Sequence, residues 1–501
     1  MRDPLIPIKL PPGFSNNGTP YDNKNRWIGG NLVRFVEGHP QPVGGWAARE
    51  LTGPTMTGTP RAAVSFTLTT GAEVLVVGTT TGLWAITDDE VVEITPTHLD
   101  GTYWSGYGSK VLWSFDVFGA WLVAVPVVYD TETGAYTGGA PVYWDGNVDN
   151  LAALIEGGIG PTVSAMEVSN SVISLVTTAE RFLMCLGGYR PGEEIVLHER
   201  RALDRMFFWG DQSTLGDWVA SDTNAAGDLD LTTSGSLRAG RRTRAGTLLL
   251  TTTDAWLVRY IGGEYVHSLE VVGHGCGVIG INAAVTADVG VFWMGKDGFF
   301  TENGFVQPLD CTVRDSVFTA LNRTYAHRVW GYHNATYGEV TWFYPTTTAE
   351  CTNYVTYNYR DNTWVTGTLA RTAGVGETPL SAKPLLLSAA GAVYDHETGN
   401  TRSGGSAYVE TGPLEIGDGD QVMTVNGLMA DGLSASHLNL TVYTRLTPLG
   451  TETTGGPYAL TSTETSFRAK GRQIRLKFTE AASAAWRLGT MRLSARPGSR
   501  R

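Results

Sequence analysis

Apolar residues fall along this chain in short runs separated by Gly, Asn, Asp and Thr. Examples are EVLVVGTTTGLWAIT (73–87), GAWLVAVPVVY (119–129), GTLLLTTTDAWLVRYI (246–261), VGVFWMGKDGFF (289–300) and EVTWFYP (339–345). Each run is rich in β-branched and aromatic residues and bounded by turn formers, the pattern of strands joined by tight hairpins. Helical spacing is scarce. It predicts short helices only around Asn150–Ile155 and over Val313–Thr324, where Val313, Val317 and Leu321 recur on one face. The fold class read from the pattern is all-β.

A weak repeat runs through the strands. Val77–Ile94, Leu250–Leu269 and Met294–Leu309 each read as strand, Thr/Asp/Gly turn, aromatic strand, second tight turn and alternating strand. Looser units follow the same theme in 142–147, 357–367 and 385–400. The aromatic residues Trp84, Trp144, Trp209, Trp256, Phe299, Trp342 and Tyr394 mark successive units. Irregular spacing of that kind predicts a degenerate β-propeller of about six to eight blades with inserted loops, because a single four-stranded blade cannot bury its own faces and stacking blades around an axis buries both. A β-sandwich pair, which needs steadier strand spacing, is the second choice. The domains expected are an N-terminal docking arm (1–50), a propeller body (51–400) and a small C-terminal β domain with a basic tail (401–501). In the last, Ile474-Arg475-Leu476-Lys477-Phe478 alternates apolar with basic residues, as in a sandwich strand with one solvated face. The basic side reads either as a contact for an acidic neighbour or as an edge strand blunted by charge.

Composition supports an ordered chain. Of 501 residues 62 are Gly and only 17% are charged, while 42% are hydrophobic, enough apolar surface to offset ordering entropy. The net charge of -12 argues against a generic nucleic-acid or anionic-membrane binder. Ten of the basic residues and one acid lie from Arg468 onward, so the tail is cationic and the rest strongly acidic. Cys185, Cys276, Cys311 and Cys351 have no paired spacing and read as reduced, mostly buried thiols. The start lacks the order of a signal peptide, and no apolar run reaches membrane-spanning length.

The arm is the most specific text. PPGFSNNGTPYDNKNRWIGGNLVRFVEGHPQPVGGW (Pro11–Trp46) resembles the opening of the tail nozzle, or DNA-stabilisation (tail tubular), proteins of short-tailed bacteriophages, through PGxxxNGTxY, RWxxGNLVRF and GxPQPVGGW. The end resembles the same family through GRxIRLxF (471–478), WRLG (486–489) and a Pro-Gly-Arg finish. This resemblance implies a structural virion protein without enzymatic chemistry or cofactor. It would form a homomeric ring, a hexamer by the resemblance, at the distal tail tube below the portal and adaptor. Its partners would be its own copies, the head–tail adaptor, a tail fibre, spike or needle, and duplex DNA passing non-specifically through the channel, retained until ejection. It would be assembled in the host cytoplasm and reside in the virion tail, with no membrane span. The resemblance places neighbour or adaptor contacts at Arg26, Trp27, Asn31, Arg34, Phe35 and Trp46. Large anchors such as Trp27, Phe35 and Trp46 suit interface hot spots, and the alternative is that the arm wraps its own propeller. Acidic ring walls would let duplex slide without counterion release. The Gly/Thr-rich segment Thr366–Pro379 is eligible as a gating loop.

Other chemical signals are sparse. His274 with Cys276, and His327 with His333, are the only His/Cys clusters, and neither offers the paired ligands of a zinc site. No GxSxG elbow occurs. Asp145, Asp361, Asp395 with Glu397, and Asp418 with Asp420 sit in turns, where Asp bonding its own backbone explains them. DNTW (361–364) resembles part of a sialidase aspartate box, in one copy and without its Gly. Arg200, Arg201, Arg205, Arg238, Arg241, Arg242 and Arg244 read equally as intersubunit ion pairs or as solvated loops. Two rival functions stay open: a receptor- or glycan-binding tail propeller stacking exposed Trp and Tyr on sugars, and a glycoside hydrolase on a propeller.

Overall fold

The computed structural model describes residues 4–96, 110–157, 166–167, 172–188, 203–414 and 421–498. Arg200, Arg201, Asp418, Asp420, Arg500 and Arg501 lie outside them.

The chain is all-β, and its body is a propeller in which the described residues form seven blades. The innermost strands are Pro60–Thr67, Val111–Phe118, Ser174–Thr177, Leu237–Arg242, Ala284–Ala287, Trp330–Asn334 and Ala373–Val375, numbered here as blades 1 to 7. Neighbouring inner strands pack on one another in a cycle, and blade 7 closes on blade 1. Each blade is an antiparallel four-strand meander, with one extra short strand in blade 2. Apolar cores fill the gaps between blades. Trp84, Leu75 and Val77 of blade 1 pack with Leu385, Leu387 and Val393 of blade 7, and a separate core joins blades 1 and 2. Indole N–H groups tie blade to blade: Trp113 Nε1 donates to the Thr79 carbonyl at 2.8 Å, Trp342 Nε1 to Ala283 at 2.9 Å and Trp330 Nε1 to Arg371 at 3.2 Å. The seven aromatic markers fall one per blade, six on the third strand and Trp342 on the second.

The last blade is completed from the other end of the sequence. Its three C-terminal strands end at Val393–His396, and Trp46–Ala48 pairs antiparallel with that strand as the outermost fourth. This closure explains the PQPVGGW text. Gly44 and Gly45 run so close to Glu397 and Thr401 that a Cβ on either would overlap their atoms.

Residues beyond 400 form two packed sheets with one core that includes Leu428, Leu440, Ile474, Phe478 and Leu493. The N-terminal segment supplies a strand to each: Leu5–Ile8 pairs with Arg487–Pro497, and Trp27–Asn31 with Tyr408–Thr411. Gln473–Glu480 lies in the interior of its sheet rather than at an edge. Burial alternates along it as expected, with Ile474, Leu476 and Phe478 inside. Its outer face is neutralised within the chain, because Arg475 pairs with Glu410 and Glu452 and Lys477 lies over Tyr408.

Several local expectations change. Residues 150–155 form no helix; Ala153–Leu154 pairs as a strand in blade 2. The second region contains a helix over Arg314–Ala320 followed by a 3-10 turn over Arg323–Arg328. Thr366–Pro379 is not a free loop, since Thr366–Thr368 belong to the outer strand of blade 6 and Ala373–Val375 are the inner strand of blade 7. All four cysteines are free and buried. Among the described residues no helix is long and apolar enough to cross a membrane.

Candidate functional site at the propeller axis

The arm residues are placed first. Trp27 packs on Phe35 and Phe478, with ring centroids 6.4 Å away in each case. Asn31 Oδ1 accepts the Thr368 amide at 2.7 Å. Arg34 is buried and forks between two carboxylates, 3.0 Å from Glu339 and 2.6 Å from Glu397. Burial pushes the Glu339 carboxyl above its ordinary value, against the attraction of Arg34. Trp46 stacks on His396 at 5.2 Å and donates to Ser403 Oγ. Trp27, Asn31, Arg34, Phe35 and Trp46 are therefore buried in this chain's own core, and only Arg26 is exposed. At these positions the arm wraps its own propeller and sandwich.

The site that the fold assembles lies elsewhere. Inner strands of neighbouring blades run parallel, as the Asn282–Trp330 bridge shows, so their leading residues gather at one end of the axis. Arg61 and Arg238 come from the starts of the inner strands of blades 1 and 4. Asn282, His327 and Arg328 come from the segments leading into blades 5 and 6. Tyr129 and Tyr136 come from the second strand of blade 2 and its hairpin partner, and Glu350 from the turn before the third strand of blade 6.

Their geometry is dense. Arg61 grips Glu350 with both terminal nitrogens, at 2.5 and 2.8 Å, and Arg328 reaches the same carboxylate at 2.7 Å. Burial alone would raise the Glu350 carboxyl, but the hydrogen bonds and charge of Arg61 hold it below its ordinary value. Arg61 is 5% exposed, and its Nε has no hydrogen-bond partner among the described residues. His327 stacks on Tyr129 with centroids 3.9 Å apart; burial, then the charges of Arg328 and Arg61, push its pKa down to about 3, so it is neutral near pH 7. Tyr129 meets Tyr136 at 4.8 Å, and the Arg238 guanidinium lies 4.5 Å over the Tyr136 ring. Arg238 is 8% exposed, donates to its own Leu237 carbonyl, and has no ion pair among the described residues. Asn282 Nδ2 spans the axis to the carbonyl of Trp113 at 3.1 Å and, at 3.4 Å, to that of Arg61. Within the ring Arg61, Phe115, Arg241, Asn282 and Trp330 line a cavity of about 140 Å³.

Sequence reasoning singled out Arg238 and Arg241 but placed them in ion pairs between subunits or in solvated loops. Both belong to the inner strand of blade 4, where a register shift falls between Leu237 and Ala239, and Arg241 lines the axial cavity. Arg242 pairs with Asp116 of the same chain at 3.4 Å. Arg61, Asn282, Arg328 and Glu350 were not singled out, and no local motif marks them. Of the turn carboxylates, Asp145 accepts the Asn147 amide at 2.9 Å, whereas Glu397 belongs to the Arg34 cluster and Asp395 pairs with Arg49 at 3.2 Å. His274 contacts Asp254 at 3.2 Å, and His333 contacts the Tyr359 hydroxyl at 3.0 Å. Among the described residues no group of three or more His, Cys, Asp or Glu is placed to hold a metal ion.

No known family and no curated protein matches the chain. It is similar to solved structures at low identity. A fungal alcohol oxidase of the AA5 family, in complex with copper, is 10% identical with a TM-score of 0.39, over 90% of this chain and 99% of that one. The exo-β-1,3-galactanase of Phanerochaete chrysosporium is 9% identical with a TM-score of 0.27, over 90% and 100%. The polysaccharide lyase Uly1 is 9% identical with a TM-score of 0.25, over 96% and 100%. These neighbours are enzymes, which corrects the expectation of a chain without chemistry: that exclusion does not stand. Likeness at this level carries no particular activity across to this chain.

Proposed function

We propose that this chain is a binding propeller of a short-tailed phage tail, which takes a glycan of its host receptor at the axis. One observation carries the reading. At the axis the ring closure gathers two tyrosines in edge-to-face contact, a neutral histidine stacked on one of them and a guanidinium over the other, while Arg61, Arg241 and the axis-spanning Asn282 line a cavity there. A concave site with a few convergent polar groups and aromatic faces is the usual form of a small-ligand site. The test is binding of the purified full chain to host cells and to a glycan array, with the bound oligosaccharide analysed afterwards for cleavage. Saturable binding that falls at least tenfold in Tyr129→Ala is the expected result. Cleaved product would turn the reading towards a glycoside hydrolase, and absence of any cell or glycan binding would overturn it.

A second reading, the tail nozzle ring, is favoured by one specific observation. The two stretches that resemble nozzle proteins, distant in sequence, meet in one sandwich, where Trp27 packs on Phe478 at 6.4 Å and Arg487 donates to the Val36 carbonyl and pairs with Glu37. In that reading DNA passes through the lumen of a ring of copies and not along the propeller axis, which Asn282 spans. Adaptor-dependent rings in electron micrographs, and particles that lose their genome without this chain, would support it.

A further inference from the structure

Charge at the axis runs against charge on the chain. The protein is net acidic at -12, yet Arg61, Arg238, Arg241 and Arg328 converge on the axis, and the Glu350 carboxylate is the one that bridges any of them among the described ion pairs. Burying guanidinium groups costs free energy that only counter-charge and hydrogen bonds return. Glu350 is shared between two arginines, Arg238 lies over the Tyr136 ring and donates to the Leu237 carbonyl with the charge of Asp204 acting on it, and Arg241 donates to the carbonyls of Ala284 and Gly240 with the charge of Asp116 acting on it. Arg61 keeps one buried Nε without a partner among the described residues and lines the cavity. The grip of Arg61 on Glu350 also displays the fork-to-carboxylate geometry that this end of the axis can offer.

We infer that the axial cavity binds a carboxylate, and that the receptor glycan is an acidic one whose uronic- or sialic-acid group enters among Arg61, Arg241 and Asn282 beside Trp330. The inference rests on the glycan-binding reading above and narrows it to a ligand class. A cavity of about 140 Å³ has room for a carboxylate and part of a sugar ring, roughly the space of four or five waters at about 30 Å³ each. Trp330 offers an apolar face and an optical reporter at the same place. Glu350 competes with the ligand for the Arg61 fork, so it sets affinity from the opposite direction.

The experiment titrates the full-length chain with glucuronate, N-acetylneuraminate, glucose and inorganic phosphate, following tryptophan fluorescence and saturation-transfer NMR of the ligand. The two acid sugars are expected to bind while glucose does not, and phosphate to bind at least tenfold more weakly than the carboxylates. Glu350→Gln is expected to tighten acid-sugar binding about fivefold by freeing Arg61, and Arg61→Gln to weaken it at least tenfold, with thermal melts confirming that each variant is folded. The wild-type titration decides the matter if either variant fails to fold. Equal binding of glucose and glucuronate, or phosphate binding more tightly than both acids, overturns the inference. If the array detects neutral glycans and free glucuronate does not compete, the inference falls while the glycan-binding reading stands. If the acid sugars bind but no glycan or cell does, the site stands and the receptor reading falls.

Discussion

His267 lies among Phe182, Trp209 and Tyr260, with ring centroids 4.9, 4.6 and 5.9 Å away, and neither of its nitrogens has a hydrogen-bond partner among the described residues. Burial pushes its pKa down to about 4. Its proton therefore binds the unfolded chain first as pH falls. Stability should be level above the ordinary histidine value and decline between about 6.5 and 4, by up to about 1.4 kcal/mol per pH unit for each such group. His327 acts in the same direction. His267→Phe removes two unpaired polar atoms as well as the titration, so the variant should be as stable as the parent at pH 7 and visibly more stable at pH 5. Thermal melts across that range check both points, and a parallel decline in parent and variant would contradict them. Arg34 is the opposite case, a buried charge that is fully partnered. Arg34→Met leaves Glu339 buried without its cation and is expected to cost about 3–5 kcal/mol. Adding Glu339→Gln should recover part of that loss in denaturant titrations, because the uncompensated charge is gone.

At the scale of elements, the decisive piece is the three-residue strand Trp46–Ala48. Without it the last blade has an open edge at Val393–His396. Trp46 also stacks on His396 and lies 5.5 Å from the Arg371 guanidinium. Trp46→Ala should cost about 3–5 kcal/mol, as for other buried aromatics. Removing residues 1–50 should do more, since the sandwich loses a strand from each sheet at the same time. The truncated chain is expected to elute as aggregates in size-exclusion chromatography; a monodisperse, cooperatively melting product would show that the arm is dispensable. The alternating strand Gln473–Glu480 was legible in sequence because its period is local. Its place in the interior of the sheet was not, because that depends on Tyr408–Thr411 and Leu438–Arg445 flanking it.

For the whole molecule, a ring of seven blades has a consequence that no single blade has. Closure forces the inner strands into parallel order, so residues far apart in sequence meet at the axis: Arg61 and Glu350 are 289 positions apart and share two hydrogen bonds. The acidic surface and the cationic axis can coexist because they are separated in space by the blades. Binding of an acidic sugar at the axis should therefore lose only modest affinity on raising salt from 50 to 300 mM, since a buried ion pair is screened less than a surface one. A steep, tenfold loss over that interval would place the interaction on the outer surface instead.

The sequence by itself determined what depends on near neighbours. Alternation, turn residues and one aromatic per unit specified β-hairpins stacked as blades, and they did so because side-chain periodicity is a local property of extended backbone. It also marked the arm as text of unusual specificity, although Trp27, Arg34 and Trp46 proved to be internal anchors. Only the tertiary structure decided the number of blades, the closing of blade 7 by Trp46–Ala48, and the meeting of Arg61, Arg238, Asn282, Arg328 and Glu350. Those depend on closing a ring, and nothing in the spacing of five scattered residues says that a ring will bring them to one axis.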